Sequence, residues 1–182
     1  MDVNLWIVTG PSESGKTTFC QEALQAVRIA GWDAAGLLSP AIFKDGIKEC
    51  IYAEDIRSGK KRLLASARLQ TQTDLVFGDW FFNRKALKWG NQVLQSSVPC
   101  DLLIIDELGP LEFNLAMGWV GAFDVIYTAR FILALVVVRP ELLEPANNIL
   151  HPVYIIHMDG PWDVQNKIVQ YTPEITRLKE YR

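Results

Sequence analysis

The segment Gly10-Pro11-Ser12-Glu13-Ser14-Gly15-Lys16-Thr17-Thr18 is the strongest constraint on what this chain can become. It has the pattern G-x-x-x-x-G-K-[ST] of a phosphate-binding P-loop, and it stands between two readable elements. The apolar run Leu5-Trp6-Ile7-Val8 precedes it, as expected of a strand buried on both faces. After it, Phe19, Ala23, Leu24, Ala26, Val27 and Ala30 fall on one helical stripe, which predicts a helix over 16–29 with Gly31 as its C-cap. Glycines let the backbone curl so that its N–H groups face a phosphate. Lys16 then reaches the β- and γ-phosphates, and the Thr17 hydroxyl is placed to bind Mg²⁺. The N-terminus of the helix adds partial positive charge at the same point. Within the loop, Glu13 sits at a position the motif leaves free, so a solvent-facing side chain is expected there.

Two further apolar runs alternate with helical stretches. Leu102-Leu103-Ile104-Ile105 and residues 131–138 read as buried strands, residues 36–38 begin another, and residues 153–156 form a last one. Helices are expected over 119–129, over 141–147, and from 162 to 182 with a break at Pro173. Asn83 is placed to cap a helix running to about residue 95. Strands alternating with helices imply a mainly parallel sheet flanked by helices, with its ligand outside the C-terminal ends of the strands. Residues 41–43 and 47–53, joined by Lys44-Asp45-Gly46, read instead as a hairpin, and a third short strand follows at 62–65. This β-meander, within an insertion over about 40–82, is expected on the edge of the sheet. Residues 68–82 give no clear element.

A chain of 182 residues suits one domain, here 1–182, which buries about 70% of its unfolded surface and needs no disulfide or metal staple. Cys20, Cys50 and Cys100 lie far apart and show no metal-ligand spacing, so reduced thiols are expected, and His151 and His157 lack further ligands for a metal. A net charge of −3 argues against a general nucleic-acid binder. The first strand begins too early for a signal peptide, and no apolar run approaches the roughly 20 residues of a membrane span; a cytoplasmic monomer is expected.

The strand at 102–105 runs directly into Asp106-Glu107. Apolar residues ending in Asp form the Walker B pattern, in which the Asp positions Mg²⁺ together with the P-loop Thr. Glu107, one residue beyond, is the candidate general base for a water attacking the γ-phosphate. An acid beside the Walker B Asp points to hydrolysis of a nucleotide, since a small-molecule kinase has less need of a water-activating base.

At these residues the chain resembles a known family. Asp106-Glu107-Leu108-Gly109-Pro110-Leu111-Glu112 is similar to the D-E-[IL]-G-x-[ML]-E signature of THEP1-type nucleoside-triphosphatases, and Val8-Thr9-Gly10-Pro11 through Thr18 to their T-G-x-x-x-x-G-K-T-T. The resemblance covers about residues 4–140. It implies a RecA-like P-loop core and Mg²⁺-dependent hydrolysis of ATP, GTP and other triphosphates, slow and broad in base preference. Two departures stand out. Ser39-Pro40-Ala41-Ile42-Phe43 replaces the family's Thr-x-Glu-[VI]-Arg run, and Asp163 to Lys167 lacks the arginine of an Asn-Arg pair after the last strand.

Other residues are weighed singly. Arg139 follows the strand at 131–138 and is a candidate to stabilise charge on the γ-phosphate; the alternative is a surface arginine held by a carboxylate such as Glu141. Trp80, Phe81, Phe82 and Trp89 read as core first and as a lid or base-stacking platform second. Trp162, in the loop after the final strand, is a candidate to stack on a base. A phosphotransferase is the first rival function. It needs an acceptor pocket and a lid carrying arginines, for which Arg57, Lys60, Lys61, Arg62 and Arg68 are available. A nucleotide-dependent switch is the second rival, and no partner surface is legible for it.

Overall fold

The structure, a computed structural model, describes residues 4–68 and 75–181. Five strands form the parallel half of its sheet: β1 (Leu5–Thr9), β2 (Ala34–Leu38), β8 (Leu102–Leu108), β9 (Leu133–Val138) and β10 (Tyr154–His157). They lie in the order β10-β1-β9-β8-β2. The strand that carries the P-loop is therefore separated from the strand that carries Asp106 by β9. Beyond β2 the sheet continues antiparallel through β4 (Ile47–Asp55), β5 (Lys61–Ser66), β7 (Trp80–Phe82) and β6 (Leu75–Phe77), and β3 (Ala41–Lys44) pairs with β4. The expected meander is thus an extension of one continuous sheet. Its first turn has positive φ at both Asp45 (51°) and Gly46 (76°), the two-residue geometry that twists with the flanking strands.

Alternate residues of the central strands feed opposite layers, which is why their sequences are apolar throughout. On one face Trp6, Val8, Ile104, Leu135 and Val137 meet Phe19, Cys20, Ala23 and Val27 of α1 (Lys16–Ile29) and Tyr171 and Ile175 of α6 (Val164–Arg177). On the other, Ile7, Leu103, Ile105 and Val136 meet α2 (Arg84–Gln95), α4 (Gly121–Tyr127) and α5 (Leu143–Leu150). Helix α1 ends as its sequence predicts. Gly31 takes φ 73°, and the N–H groups of Gly31 and Trp32 donate to Arg28 and Val27 carbonyls. Asn83 caps α2 by accepting from the Lys85 and Ala86 N–H groups.

Several elements differ from expectation. The segment 68–82, apart from residues 69–74, which lie outside the described residues, holds the β6–β7 hairpin. A helix unforeseen in sequence, α3 (Pro110–Leu115), follows β8. The helix expected at 141–147 begins as a 3₁₀ turn over Pro140–Leu142 and continues as α5. Helix α6 runs through Pro173 without a break. An internal proline costs about 3 kcal/mol, but Tyr171 and Ile175, 7% and 1% exposed, anchor the helix on both sides of it. No helix among the described residues is long and apolar enough to cross a membrane.

Candidate active site

The P-loop owes its shape to residues with positive φ: Gly10 (156°), Glu13 (62°) and Gly15 (92°). A Cβ at Gly10 would collide with the Met158 carbonyl, and one at Gly15 would lie 2.6 Å from Val164 Cγ2. Both walls belong to the passage from β10 into α6, so the loop is pressed against the segment that ends in the exposed Trp162. The outer residues Pro11, Ser12 and Glu13 face solvent, and Thr18 is exposed on the first turn of α1. Ser14 is buried, and its hydroxyl has no hydrogen-bond partner among the described residues. Lys16 folds back over the loop, its Nζ donating to the carbonyls of Gly10 (2.8 Å) and Pro11 (2.5 Å). Burial holds its pKa below the ordinary lysine value, with Glu107 pulling the other way.

Asp106 and Glu107 occupy an interruption of the β8–β9 ladder between Ile105 and Leu108. Asp106 is 2% exposed. Its carboxylate accepts from the Thr17 hydroxyl at 3.2 Å and from the Ser39 N–H at 2.9 Å, and the Ser39 hydroxyl donates to the Asp106 carbonyl. Burial pushes its pKa up to about 6, while the Ser39 N–H acts against the shift. Thr17 and Asp106, read from sequence as a pair of metal ligands 89 residues apart, are thus in contact. Both offer oxygen only, the donor type a hard divalent cation such as Mg²⁺ takes.

Arg139 leaves the C-terminal end of β9 and pairs with Glu107, Nε to Oε1. The sequence alternative had it held by Glu141; the carboxylate that holds it is instead the candidate base. Strand order explains the pairing, because β9 lies between the two motif strands and its end opens onto both. A cleft of about 390 Å³ collects Ser12, Lys16, Thr17, Asp106, Glu107 and Arg139.

Three residues without a role in the sequence reading also belong here. Lys48 of β4 lines the cleft, its Nζ 5.5 Å from the Trp80 ring centroid; a lone lysine in a hairpin strand carries no signal. Ser39, inside the segment that departs from the family pattern, clamps Asp106. Glu112, the last residue of the signature, accepts from the Gly109 N–H (2.7 Å) and the Trp119 N–H (2.6 Å), fixing the turn after Glu107. Burial raises its pKa to about 7, against those two hydrogen bonds.

None of Arg57, Lys60, Lys61, Arg62 and Arg68, the candidates for a lid, lines this cleft. Arg57 pairs with Asp33, just before β2, at 2.6 Å and donates to the Ser96 and Pro99 carbonyls, at the end of the sheet opposite the P-loop. Lys61 pairs with Glu54, and Arg62 lies 4.9 Å from the Trp89 ring centroid. Trp80, Phe82 and Trp89 pack against the core. Trp162 is 76% exposed. The three cysteines are free.

A sequence profile of the family described as NTPase matches residues 5–136. The chain is 31% identical over 121 residues to the nucleoside-triphosphatase THEP1 of Methanosarcina barkeri (strain Fusaro / DSM 804), covering 65% of this chain and 67% of that protein. It is 29% identical over 108 residues to the nucleoside-triphosphatase THEP1 of Ignicoccus hospitalis, covering 59% and 60%. The match thus spans about three fifths to two thirds of those relatives. The crystal structure of THEP1 from the hyperthermophile Aquifex aeolicus superposes with a TM-score of 0.63 at 19% identity, over 91% of this chain and 95% of that one, a likeness of fold. With a P-loop closed by a Walker B acid at the sheet's C-terminal edge and a profile match across most of its length, the chain belongs to the THEP1-type nucleoside-triphosphatase family.

Proposed function

We propose that the chain hydrolyses nucleoside triphosphates, ATP and GTP among them, to diphosphate and phosphate in a Mg²⁺-dependent reaction. The observation that carries this reading is the convergence of Lys16, the Thr17–Asp106 pair and the Glu107–Arg139 pair on one cleft. The loop from Gly10 to Thr18 cradles the phosphates with its N–H groups, and the Ser14 hydroxyl offers a further polar contact. Thr17 and Asp106 would hold Mg²⁺, which when bound neutralises charge on the β- and γ-phosphate oxygens. Glu107 accepts the proton of the attacking water. As the bond between the γ-phosphorus and the bridging oxygen breaks, Lys16 and Arg139 stabilise the charge that develops. Every group comes from one chain, so a monomer suffices. The family resemblance implies slow turnover and tolerance of several bases, with Trp162 as the stacking candidate.

The test is phosphate release from ATP, GTP, CTP and UTP with and without Mg²⁺, for wild type and Glu107→Gln. The variant is expected to bind ATP and to hydrolyse it about 10²–10⁴-fold more slowly, the usual contribution of a positioned general base. Full hydrolysis by Glu107→Gln overturns the base assignment, and release independent of Mg²⁺ overturns the metal's part.

A further inference from the structure

A second cavity, of about 320 Å³, opens on the far side of Glu107 and Arg139. Its body is apolar and aromatic: Phe77, Trp80, Phe82, Leu87, Leu111 and Trp119. None of these six lines the phosphate cleft. The two spaces meet at Ser39, Lys48, Ile51, Glu107 and Arg139, which line both. A space near the lower end of the ~300–1,000 Å³ typical of small-molecule sites, lined mainly by apolar side chains with a few polar groups, is the usual form of a ligand pocket. The polar lining here is Ser39, Lys48, Glu107 and Arg139 at the wall shared with the phosphate cleft, together with Asp79 and Glu112, which line this cavity alone.

Hydrolysis does not use this space, because water needs no apolar enclosure. The flat side chains favour a flat ligand. At the shared wall, Glu107 is a carboxylate that accepts hydrogen bonds only and Lys48 and Arg139 are cations that donate only, so a hydroxyl, which both donates and accepts, matches the wall. Glu112 also borders the cavity, but both its oxygens are engaged by backbone N–H groups.

We propose that the second cavity binds a flat aromatic or heteroaromatic alcohol and presents its hydroxyl as a phosphoryl acceptor. The inference rests on the triphosphate reading of the cleft. In this step the acceptor oxygen attacks the γ-phosphorus and its proton passes to Glu107. A new P–O ester bond forms, the bond from the γ-phosphorus to the β,γ-bridging oxygen breaks, and nucleoside diphosphate leaves with that electron pair. Water and the alcohol compete for one base, so the chain partitions phosphate between hydrolysis and transfer.

The experiment incubates the full chain with γ-labelled ATP and Mg²⁺, with and without probe alcohols: the four ribonucleosides and 3-(hydroxymethyl)pyridine. Labelled phosphate ester and free phosphate are separated and counted. With at least one probe, wild type is expected to form labelled ester. Leu87→Phe, which fills the cavity from α2, is expected to lose ester formation at least tenfold while phosphate release from ATP alone stays within twofold. If Leu87→Phe fails to fold, judged by far-UV circular dichroism, Phe77→Ala on the half-buried β6 removes the cavity wall and is read for the same tenfold loss. Free phosphate alone with every probe overturns the proposal, as does ester formation untouched by the cavity variant. Phosphate release from ATP without probe reads the hydrolase assignment by itself, so the two failures are distinct.

Discussion

Glu112 ties the turn after Glu107 to the pH dependence of stability, and Glu112→Gln exposes that link. The carboxyl is 8% exposed, and each oxygen accepts one backbone N–H, from Gly109 and from Trp119. In the unfolded chain it titrates at the ordinary glutamate value, 4.5; in the folded chain burial raises the pKa to about 7. Between those two values the unfolded state has released the proton and the folded state still holds it. Stability therefore falls as pH rises through this window. The contribution is fully present below the unfolded pKa and lost once pH exceeds the folded one. At ~1.36 kcal/mol per pKa unit the full effect is on the order of 3 kcal/mol, of which roughly 2 kcal/mol falls between about pH 5 and pH 8. Glutamine does not titrate. Its amide accepts on one side only, so one of the two N–H groups loses its partner at every pH, a constant cost of about 1–3 kcal/mol. Urea unfolding of wild type and variant across this pH range measures the difference, in which the other carboxylates cancel. Glu112→Gln is expected to be clearly less stable near pH 5, with the gap narrowing by about 2 kcal/mol by pH 8. A gap that stays constant over the whole range refutes the reasoning, because Glu112 would then titrate alike in both states.

Three other outcomes are expected. Lys16→Ala loses most nucleotide binding, read by titration with a fluorescent ATP analogue; near-wild-type affinity removes Lys16 from the phosphate site. Arg139→Ala lowers kcat by about 10³-fold or more if the guanidinium stabilises the transferring phosphoryl group, with little change in melting temperature, since its ion pair is 46% and 30% exposed at the two side chains. A kcat close to wild type leaves Arg139 as a surface ion-pair partner. Gly36→Ala drives a Cβ into the Ile104 carbonyl of the neighbouring strand from a φ of 114°, so unfolding stability falls by on the order of 3 kcal/mol and the melting temperature by roughly 6–12 °C; an unchanged melting curve contradicts the close approach of β2 and β8.

What could be read from the sequence was whatever one stretch of chain decides for itself. The stripe from Phe19 to Val27 and the glycine after it set α1 from Lys16 to Ile29, and Asn83 set the start of α2. Asp45-Gly46 set a tight turn because few other pairs accept two positive φ values. Short elements escaped. Three-residue strands such as Leu75–Phe77 and the six-residue helix Pro110–Leu115 are too brief for periodicity to appear. Pro173 misled because a local cost was outweighed by burial of Tyr171 and Ile175, which depends on a distant face of the sheet.

The site divides along the same line. Lys16, Thr17, Asp106 and Glu107 announce themselves because each sits in a run whose spacing has a chemical reason. Lys48, Ser39 and the partner of Arg139 depend on the order of strands, which no single run encodes. With β9 between β1 and β8, the end of β9 faces both the P-loop and Glu107, so Arg139 meets the candidate base rather than its sequence neighbour Glu141. With β4 paired beyond β2, Lys48 is carried to the same edge, and Ser39, at the end of β2, reaches across to Asp106 of the adjacent β8. In the segment Ser39-Pro40-Ala41-Ile42-Phe43 the first residue fixes the Asp106 carboxylate, and the hairpin that the segment opens delivers Lys48 to the cleft beside Lys16 and Arg139, so the cations of the site come from a loop, a strand end and a hairpin that only the sheet brings together.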